Sequence, residues 1–461
     1  MTDPVRHHAR ARPGAPALVT PTSAWSWAEL DARVEATAAR IAGPSAPLAV
    51  RAETSPGLVV LVLAALRAGR LLAPLSTRWT DAAVGAALGR LGVRSLLSDT
   101  EVDGLGTAPL ASVLGAPRTG EAEVPRRAVD LAAPFTVVHT SGSTGRPKAV
   151  VHSVGNHAWS ARGVADALGL GADGRWLLDL PLYHVGGLGV VMRCAVAGAA
   201  MALPDGAPTA EAIGRLRPTH ASLVATQLRR LLDARAELSG MTAVLLGGSA
   251  VPPDLTDRAL SENVPVVVSY GMTEMTSTVT ATGLPPTPAD LGTSGRPLPH
   301  RAVRVSDAGE IEVSGPTLAI GHLSAAGVEP LPAWHATGDL GRIDGDGRLV
   351  VTGRRDLMFV SGGENVHVEP IEAALLRLDG VTEAAVVAVP DAEFGARPVA
   401  FVRAEPFDAG ALLAALRGVL PGYAVPVAAH PWTGAEGLKP DRPALAHEAE
   451  RRAAQSGRRA S

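Results

Sequence analysis

The chain is nearly without lysine: two stand among 40 arginines in 461 residues. The survivors, Lys148 and Lys439, mark places where a compact three-donor ammonium serves better than a wide planar guanidinium, as in a tight phosphate or carboxylate site. Cysteine is scarcer still. The single Cys194 excludes an internal disulfide and a thiolate metal cluster and fits a reducing compartment. Its surroundings, GVVMRCAVAG, read as a buried thiol. The 13 histidines show no metal-ligand spacing such as HExxH, and His7-His8 reads as part of an exposed N-terminal segment. Long apolar runs are missing too. GLVVLVLAAL (57–66) is too short to cross a bilayer, and the stretch from Val185 to Leu203 is interrupted by Arg193. The N-terminus, MTDPVRHHARARPGAP, has no apolar core of a signal peptide. These absences predict a soluble, cytoplasmic protein with no integral membrane segment. A net charge of −3 gives no whole-protein basic field for nucleic acid.

What is present is size and alternation. A chain of 461 residues, 46% hydrophobic and 19% charged, is too long for one core and reads as two or three globular domains. Between residues 48 and 99, short apolar runs alternate with helical patterns. LAVRA, LLAPL and RSLLSD read as strands, SPGLVVLVLAALRAG and TDAAVGAALGRLG as helices. The rhythm returns in RWLLDLP, HASLVATQ, MTAVLLGG and VPVVVSYG, all read as strands. Such alternation predicts α/β architecture, a mostly parallel sheet with helices on both faces. From about residue 300 the glycine-punctuated runs AVRVSD, GEIEVSG and RLVVTG predict a small antiparallel barrel or sheet. RRDLMFVSGGEN is a break, followed by a compact α+β pattern. HEAERRAAQSGRRAS reads as a frayed helix end or flexible tail.

The string TSGSTGRPK (140–148) follows the apolar FTVVH. Gly142 and Gly145 let backbone N–H groups turn toward an anion. The hydroxyls of Thr140, Ser141, Ser143 and Thr144 add donors, and Lys148 adds a point charge. This is a phosphate loop, though not a Walker A, because Pro147 precedes the lysine and no Ser or Thr follows it. Nor is it a nucleophile elbow, since Ser141, not glycine, stands two residues before Ser143.

That string resembles the phosphate loop of the adenylate-forming superfamily of acyl-CoA synthetases, luciferases and peptide-synthetase adenylation domains. SYGMTE (269–274) resembles the family's adenine and metal motif and ATGDLGR (336–342) its ribose motif. GRRD (353–356) with SGGEN (361–365) resembles its hinge and thiolation loop, and GLKPDR (437–442) its catalytic-lysine motif. The five occur in the family's order over about residues 20–445. RPKAVVHS, LPLYHVGGLGVVMR, THASLVATQLRRLL, LLGGSAVPPDL and DAEFGARPVAFV further resemble the o-succinylbenzoate–CoA ligases of menaquinone biosynthesis. HVEPIE (367–372) departs from the usual pattern in the position of its proline.

The resemblance implies a large N-terminal domain (1–353) of parallel-rich sheets with helices plus a small antiparallel barrel. It implies a hinge (354–357, centred on Asp356), a small mobile α+β C-terminal domain (358–446) and a tail (447–461). It implies ATP and CoA as co-substrates, Mg²⁺ as cofactor, a small carboxylic acid as substrate, and room for a homodimer. Tyr270 and Gly271 would meet adenine, Asp339 and Arg354 the ribose, and Thr273 the α-phosphate. Glu274 would hold Mg²⁺. Lys439 would bridge the substrate carboxylate and the α-phosphate, while Ser361, Gly362 and Gly363 would line the CoA channel. The acid pocket would draw on His184, Thr226, Gln227, Gly248, Ser249, Ser277 and Thr278, with Arg193 either a counter-ion or a helix-face charge. Another aryl- or acyl-CoA ligase, a stand-alone adenylation domain loading a carrier protein, and a non-catalytic binding protein remain open.

Overall fold

A computed structural model describes residues 1–43, 46–115, 128–140, 148–248, 251–391, 393–433 and 440–459. Its N-terminal part is built on two large mixed sheets. The first runs, in spatial order, through Arg296–Pro297, Ser277–Ala281, Val266–Met272, Ala243–Leu246, His220–Leu223, Arg175–Leu177, Ala200–Ala202, Pro16–Val19 and Ala24–Ser26. From Val266–Met272 to Pro16–Val19 every pairing is parallel. The second begins at Gly327–Pro330 and Gly321–Ser324 and passes through Lys148–Ser153 and Pro134–Thr140. It ends in the parallel strands Leu72–Pro74, Leu48–Arg51, Ser95–Ser98 and Gly106–Ala108.

The helices between the sheets explain themselves locally. In Pro56–Ala68 the Ser55 hydroxyl accepts from the Leu58 N–H, proline opens the first turn, and Gly69 closes the helix at φ 64°. Every residue from Leu58 to Leu66 is buried, the all-round apolar surface of a helix enclosed on each side. Full burial of each large side chain there contributes about 1.5–3 kcal/mol. Val154–Leu168 starts with a reciprocal capping box between Ser153 and Asn156. Together with Val185–Ala197 these helices share one apolar core with both sheets. Among the described residues no helix is long and apolar enough to cross a membrane. The N-terminal ammonium of Met1 donates to the Val129 carbonyl at 2.8 Å.

The antiparallel element expected after residue 300 is a four-stranded sheet of Ala302–Val305, Glu310–Ser314, His335–Ile343 and Leu349–Arg354. The expected break at RRDLMFVSGGEN is instead a 3₁₀ turn, Arg355–Leu357, and a hairpin of Met358–Ser361 with Glu364–His367. That hairpin joins Gly395–Ala404, Val381–Asp391 and Ala428–Pro431 in a separate sheet. HASLVATQ is a strand only to Leu223. The Gln227 side chain accepts from the Val224 N–H at 3.0 Å and turns the chain into helix Ala225–Asp233. At the C-terminus, helix Arg442–Arg459 buries Leu445 and Ala449 against the last sheet, more order than the composition of that segment predicts.

Candidate active site

Tyr270 sits near the end of Val266–Met272, where the parallel strands deliver their C-terminal residues. Its hydroxyl donates to Asp339 Oδ2 at 2.6 Å. Asp339 opposes Arg354 across the neighbouring strands, with Nη1 to Oδ1 at 3.5 Å. The guanidinium also forks onto Asp356 at 2.7 and 3.1 Å. The turn that presents Asp339 is fixed from two sides. Gly338, at φ 78°, donates its N–H to Glu310 Oε1 at 2.9 Å, and the Asp339 N–H donates to Thr337 Oγ1 at 3.0 Å. Burial, reinforced by the Asp339 charge, pushes the Tyr270 phenol above its usual range. Burial also raises the Asp339 carboxyl, which the Tyr270 hydroxyl and Arg354 only partly offset. A carboxylate so placed can accept from vicinal hydroxyls beside an aromatic face.

The 3₁₀ turn Thr273–Met275 carries the next two groups. Glu274 is only 8% exposed, and His322 Nε2 donates to its Oε1 at 3.3 Å. Burial alone would raise this carboxyl. The His322 hydrogen bond, the turn's backbone N–H and the nearby His322 and His335 outweigh it, so Glu274 lies below its ordinary value and stays ionised. Strand Gly321–Ser324 pairs His322 with Val150, bringing the lysine-bearing strand to the same place. Lys148, exposed, opposes Thr140 at the mouth of the hairpin. Ser141, Gly142, Ser143, Thr144 and Gly145 lie outside the described residues. Among the described residues no group of three His, Cys, Asp or Glu could hold a metal. One ionised carboxylate nevertheless fits Mg²⁺, which is commonly held by one or two carboxylates, substrate phosphates and water.

The third cluster gathers at helix Val185–Ala197. His184 is its N-cap residue and is exposed; desolvation by the surrounding protein, then the Arg78 charge, lowers its imidazole. Arg193, two turns along, is 1% exposed. Its Nε donates to the Gly189 carbonyl at 3.0 Å, its Nη1 reaches Ser222 Oγ at 3.4 Å, and its guanidinium lies 4.3 Å over the Trp176 ring. No carboxylate among the described residues pairs with it, and burial lowers its pKa to about 10. Gly189 leaves the guanidinium its room: a Cβ there would stand 2.9 Å from Arg193 Nη2 and 3.6 Å from Ser277 Oγ. A second buried guanidinium, Arg301, donates through Nε to the Thr278 carbonyl at 2.6 Å. Burial, then repulsion from Arg193, lowers its pKa to about 9. Thr276 (φ 55°) and Ser277 (φ 98°) hold left-handed backbone without being glycine, which costs about 1–3 kcal/mol each.

The remaining expected residues divide. Thr226 is exposed on the first turn of its helix, and Gly248, at φ 84°, is near Val224; Ser249 is outside the described residues. Gln227 caps its own helix and donates to Asp179 Oδ2 at 3.2 Å, which takes up both ends of its amide. Gly362 (φ 59°) and Gly363 (φ 88°) form the two-residue turn of the Ser361–Glu364 hairpin. The Gly362 N–H donates to the Phe394 carbonyl at 2.9 Å. Ser361 is buried, and its hydroxyl has no partner among the described residues. Lys439 is outside the described residues. Arg442, three positions later, donates to both carboxylate oxygens of Glu372 at 2.7 and 3.0 Å and anchors the helix that follows.

Residues 5–323 match the family of AMP-binding enzymes, and residues 370–434 match the AMP-binding enzyme C-terminal domain. The chain belongs to the AMP-binding enzymes. It is 35% identical over 410 residues to the 2-succinylbenzoate–CoA ligase of Salmonella typhimurium, covering 87% of this chain and 86% of that one. It is similar in fold to o-succinylbenzoate CoA synthetase (MenE) from Bacillus subtilis in complex with the acyl-adenylate intermediate OSB-AMP. There the TM-score is 0.86 and the identity 26%, over 96% of this chain and 98% of that one. The same Bacillus subtilis synthetase in complex with ATP and magnesium ion gives a TM-score of 0.83 at 27% identity, over 94% and 96% of the two chains.

In this AMP-binding enzyme, sequence reasoning missed His322 and left Arg193 undecided. His322 stands alone in GHLS, and nothing local signals that its strand pairs beside Lys148. Arg193 has a sequence signal, a lone charge in an apolar helix, but only its enclosure separates a counter-ion from a surface residue.

Proposed function

We propose that the chain is an AMP-forming 2-succinylbenzoate–CoA ligase of menaquinone biosynthesis, working in the cytoplasm on ATP, CoA and an acid with two carboxylates. The observation that carries the substrate is Arg193, a buried guanidinium with no carboxylate partner among the described residues, packed against Gly189 near Ser277. A buried cation is costly alone and favourable with an anion beside it. The aromatic carboxylate of 2-succinylbenzoate is such an anion, and the succinyl carboxylate remains for activation.

Tyr270, Gly271, Asp339 and Arg354 hold the adenosine. Lys148 and the 140–145 loop hold the β- and γ-phosphates; Glu274 would hold Mg²⁺, which when bound would neutralise charge on the phosphates. Thr273 donates to the α-phosphate, and Lys439 draws the succinyl carboxylate toward it. The carboxylate oxygen attacks phosphorus, the bond to pyrophosphate breaks, and an acyl-adenylate forms; fixed donors rather than covalent help lower this barrier. The small domain then turns about Asp356 and brings Ser361, Gly362 and Gly363 to the CoA path. The thiol attacks the carbonyl carbon, AMP leaves, and the thiol proton passes to solvent.

The test is kcat/KM for 2-succinylbenzoate against 4-phenyl-4-oxobutanoate, which lacks only the aromatic carboxylate, with the thioester identified by mass and no carrier protein present. A preference of tenfold or more for the diacid, about 1.4 kcal/mol, is expected. Equal values would make the chain a general arylalkanoate–CoA ligase.

A further inference from the structure

The turn from Thr273 to Thr278 links the two ends of the site. On the proposed reading Thr273 and Glu274 serve the nucleotide, Ser277 and Thr278 the acid. Its carbonyls are held by buried side chains brought from elsewhere in the sequence. His152 Nε2 donates to the Thr273 carbonyl at 2.8 Å, Ser160 Oγ to that of Thr276 at 2.6 Å, and Arg301 Nε to that of Thr278 at 2.6 Å. The Ala319 N–H takes the Glu274 carbonyl at 2.7 Å.

The His152 contact is the end of a buried chain whose proton positions are fixed by elimination. A carbonyl only accepts, so His152 carries its proton on Nε2. Its Nδ1 then accepts from Thr136 Oγ1 at 3.2 Å, and Thr136 Oγ1 accepts from His157 Nε2 at 2.8 Å. His157 Nδ1, the atom this leaves without a proton, has no partner among the described residues. Burial lowers the pKa of His152 to about 4 and that of His157 well below its ordinary value. Both rings are neutral and act as oriented dipoles, not as acids or bases.

One helix carries Ser160 and braces Arg301. Asn156, Ser160 and Gly163, at i, i+4 and i+7 of Val154–Leu168, lie on one face. Asn156 Nδ2 donates to the carbonyls of Pro316 and Leu318 at 2.9 and 2.8 Å, and Ser160 Oγ also meets Arg301 Nη2 at 3.0 Å. At Gly163 a Cβ would lie 2.3 Å from Arg301 Nη1 and 2.6 Å from the Pro299 carbonyl oxygen, so only glycine leaves the guanidinium its place.

We propose that His152, Ser160 and Arg301 form a buried clamp that holds the 273–278 turn, with its left-handed Thr276 and Ser277, in place, making them positioning residues for adenylation. His152 acts at the nucleotide end, Ser160 and Arg301 at the acid end. The inference rests on the 2-succinylbenzoate reading for the identity of the acid. His152→Phe keeps a ring but removes the donor, while His152→Gln returns an N–H near the position of Nε2. Ser160→Ala and Gly163→Ala disturb the other end. Each full-length variant would be assayed for pyrophosphate release, for KM of ATP and of 2-succinylbenzoate, and for its melting temperature.

His152→Phe is expected to lower kcat/KM for ATP about tenfold or more, the scale of one lost buried hydrogen bond, with KM for the acid little changed. His152→Gln is expected to restore most of the loss. Ser160→Ala and Gly163→Ala are expected to raise KM for the acid more than KM for ATP. If every constant follows only the folded fraction, or the Phe and Gln variants behave alike, the clamp is structural and the proposal fails. If the wild-type enzyme does not adenylate 2-succinylbenzoate, the substrate reading fails instead, and the ATP arm of the test still stands.

Discussion

Two buried arginines sit in opposite electrostatic settings. Arg67, on the core helix Pro56–Ala68, is surrounded by acids. Its Nε donates to Asp3 at 2.6 Å, its Nη1 to Glu35 at 2.9 Å, and its Nη2 to Asp31. Burial alone would lower its pKa, but Asp3 and Asp31 outweigh it and the net shift is upward. Arg193 is buried as deeply and meets, among the described residues, a carbonyl, a distant serine hydroxyl and an indole face but no carboxylate; its pKa falls. The first charge is compensated when the chain folds. The second is not, and on the proposed reading a substrate carboxylate completes it. A buried charge paired within the protein marks architecture, and one the fold leaves uncompensated marks a site.

The sharpest way to break this contrast is Arg193→Met. The diacid should lose about a hundredfold or more in kcat/KM, within the 2–5 kcal/mol that truncating one side of a buried charge pair costs, while 4-phenyl-4-oxobutanoate keeps its wild-type value. The melting temperature should hold or rise, because an uncompensated buried cation has been removed. A drop in melting temperature with parallel losses for both acids would make Arg193 a second Arg67.

Arg67→Met should do the reverse. It leaves Asp3, Asp31 and Glu35 gathered without their cation. Stability measured by denaturant should fall by about 3–5 kcal/mol, with kcat and both KM values unchanged at a temperature where the variant is folded.

Asp339 lies between the extremes, a carboxylate with partial compensation, and gives the smallest effect. Its folded-state pKa is raised by burial, so protonation sets in at a higher pH than for an ordinary aspartate, about 3.9. KM for ATP should therefore climb as pH falls through that raised value and level off above it. Asp339→Asn should remove the limb and leave a pH-independent, higher KM.

The proposed nucleotide end could be set out from the sequence because its groups travel in short contiguous strings. Tyr270, Thr273 and Glu274 span five positions, and the register of two adjacent strands sets Asp339 against Arg354. The βαβ rhythm likewise announced the parallel sheets, since helices capped as Pro56–Ala68 is capped carry their own start and stop. The acid end was less legible, because its parts come from a helix, a strand and a strained turn far apart in the chain. Gln227 looked free to read a substrate, yet it is spent capping its own helix. His152, His157 and Ser160 carry no local signal; their contacts exist only once Thr136 and the 273–276 carbonyls are folded against them.

The near-absence of lysine has a further consequence for reactivity. Beyond the α-amine of Met1, already bonded to Val129, the chain's primary amines are Lys148 and Lys439, both in motifs assigned to the reacting phosphates and carboxylate. Guanidinium groups are poor nucleophiles toward mixed anhydrides, and amines are good ones. An acyl-adenylate that escapes its pocket meets a surface with almost nothing to acylate, so an amine-directed label placed on this protein reports on Lys148, Lys439 and the α-amine and little else.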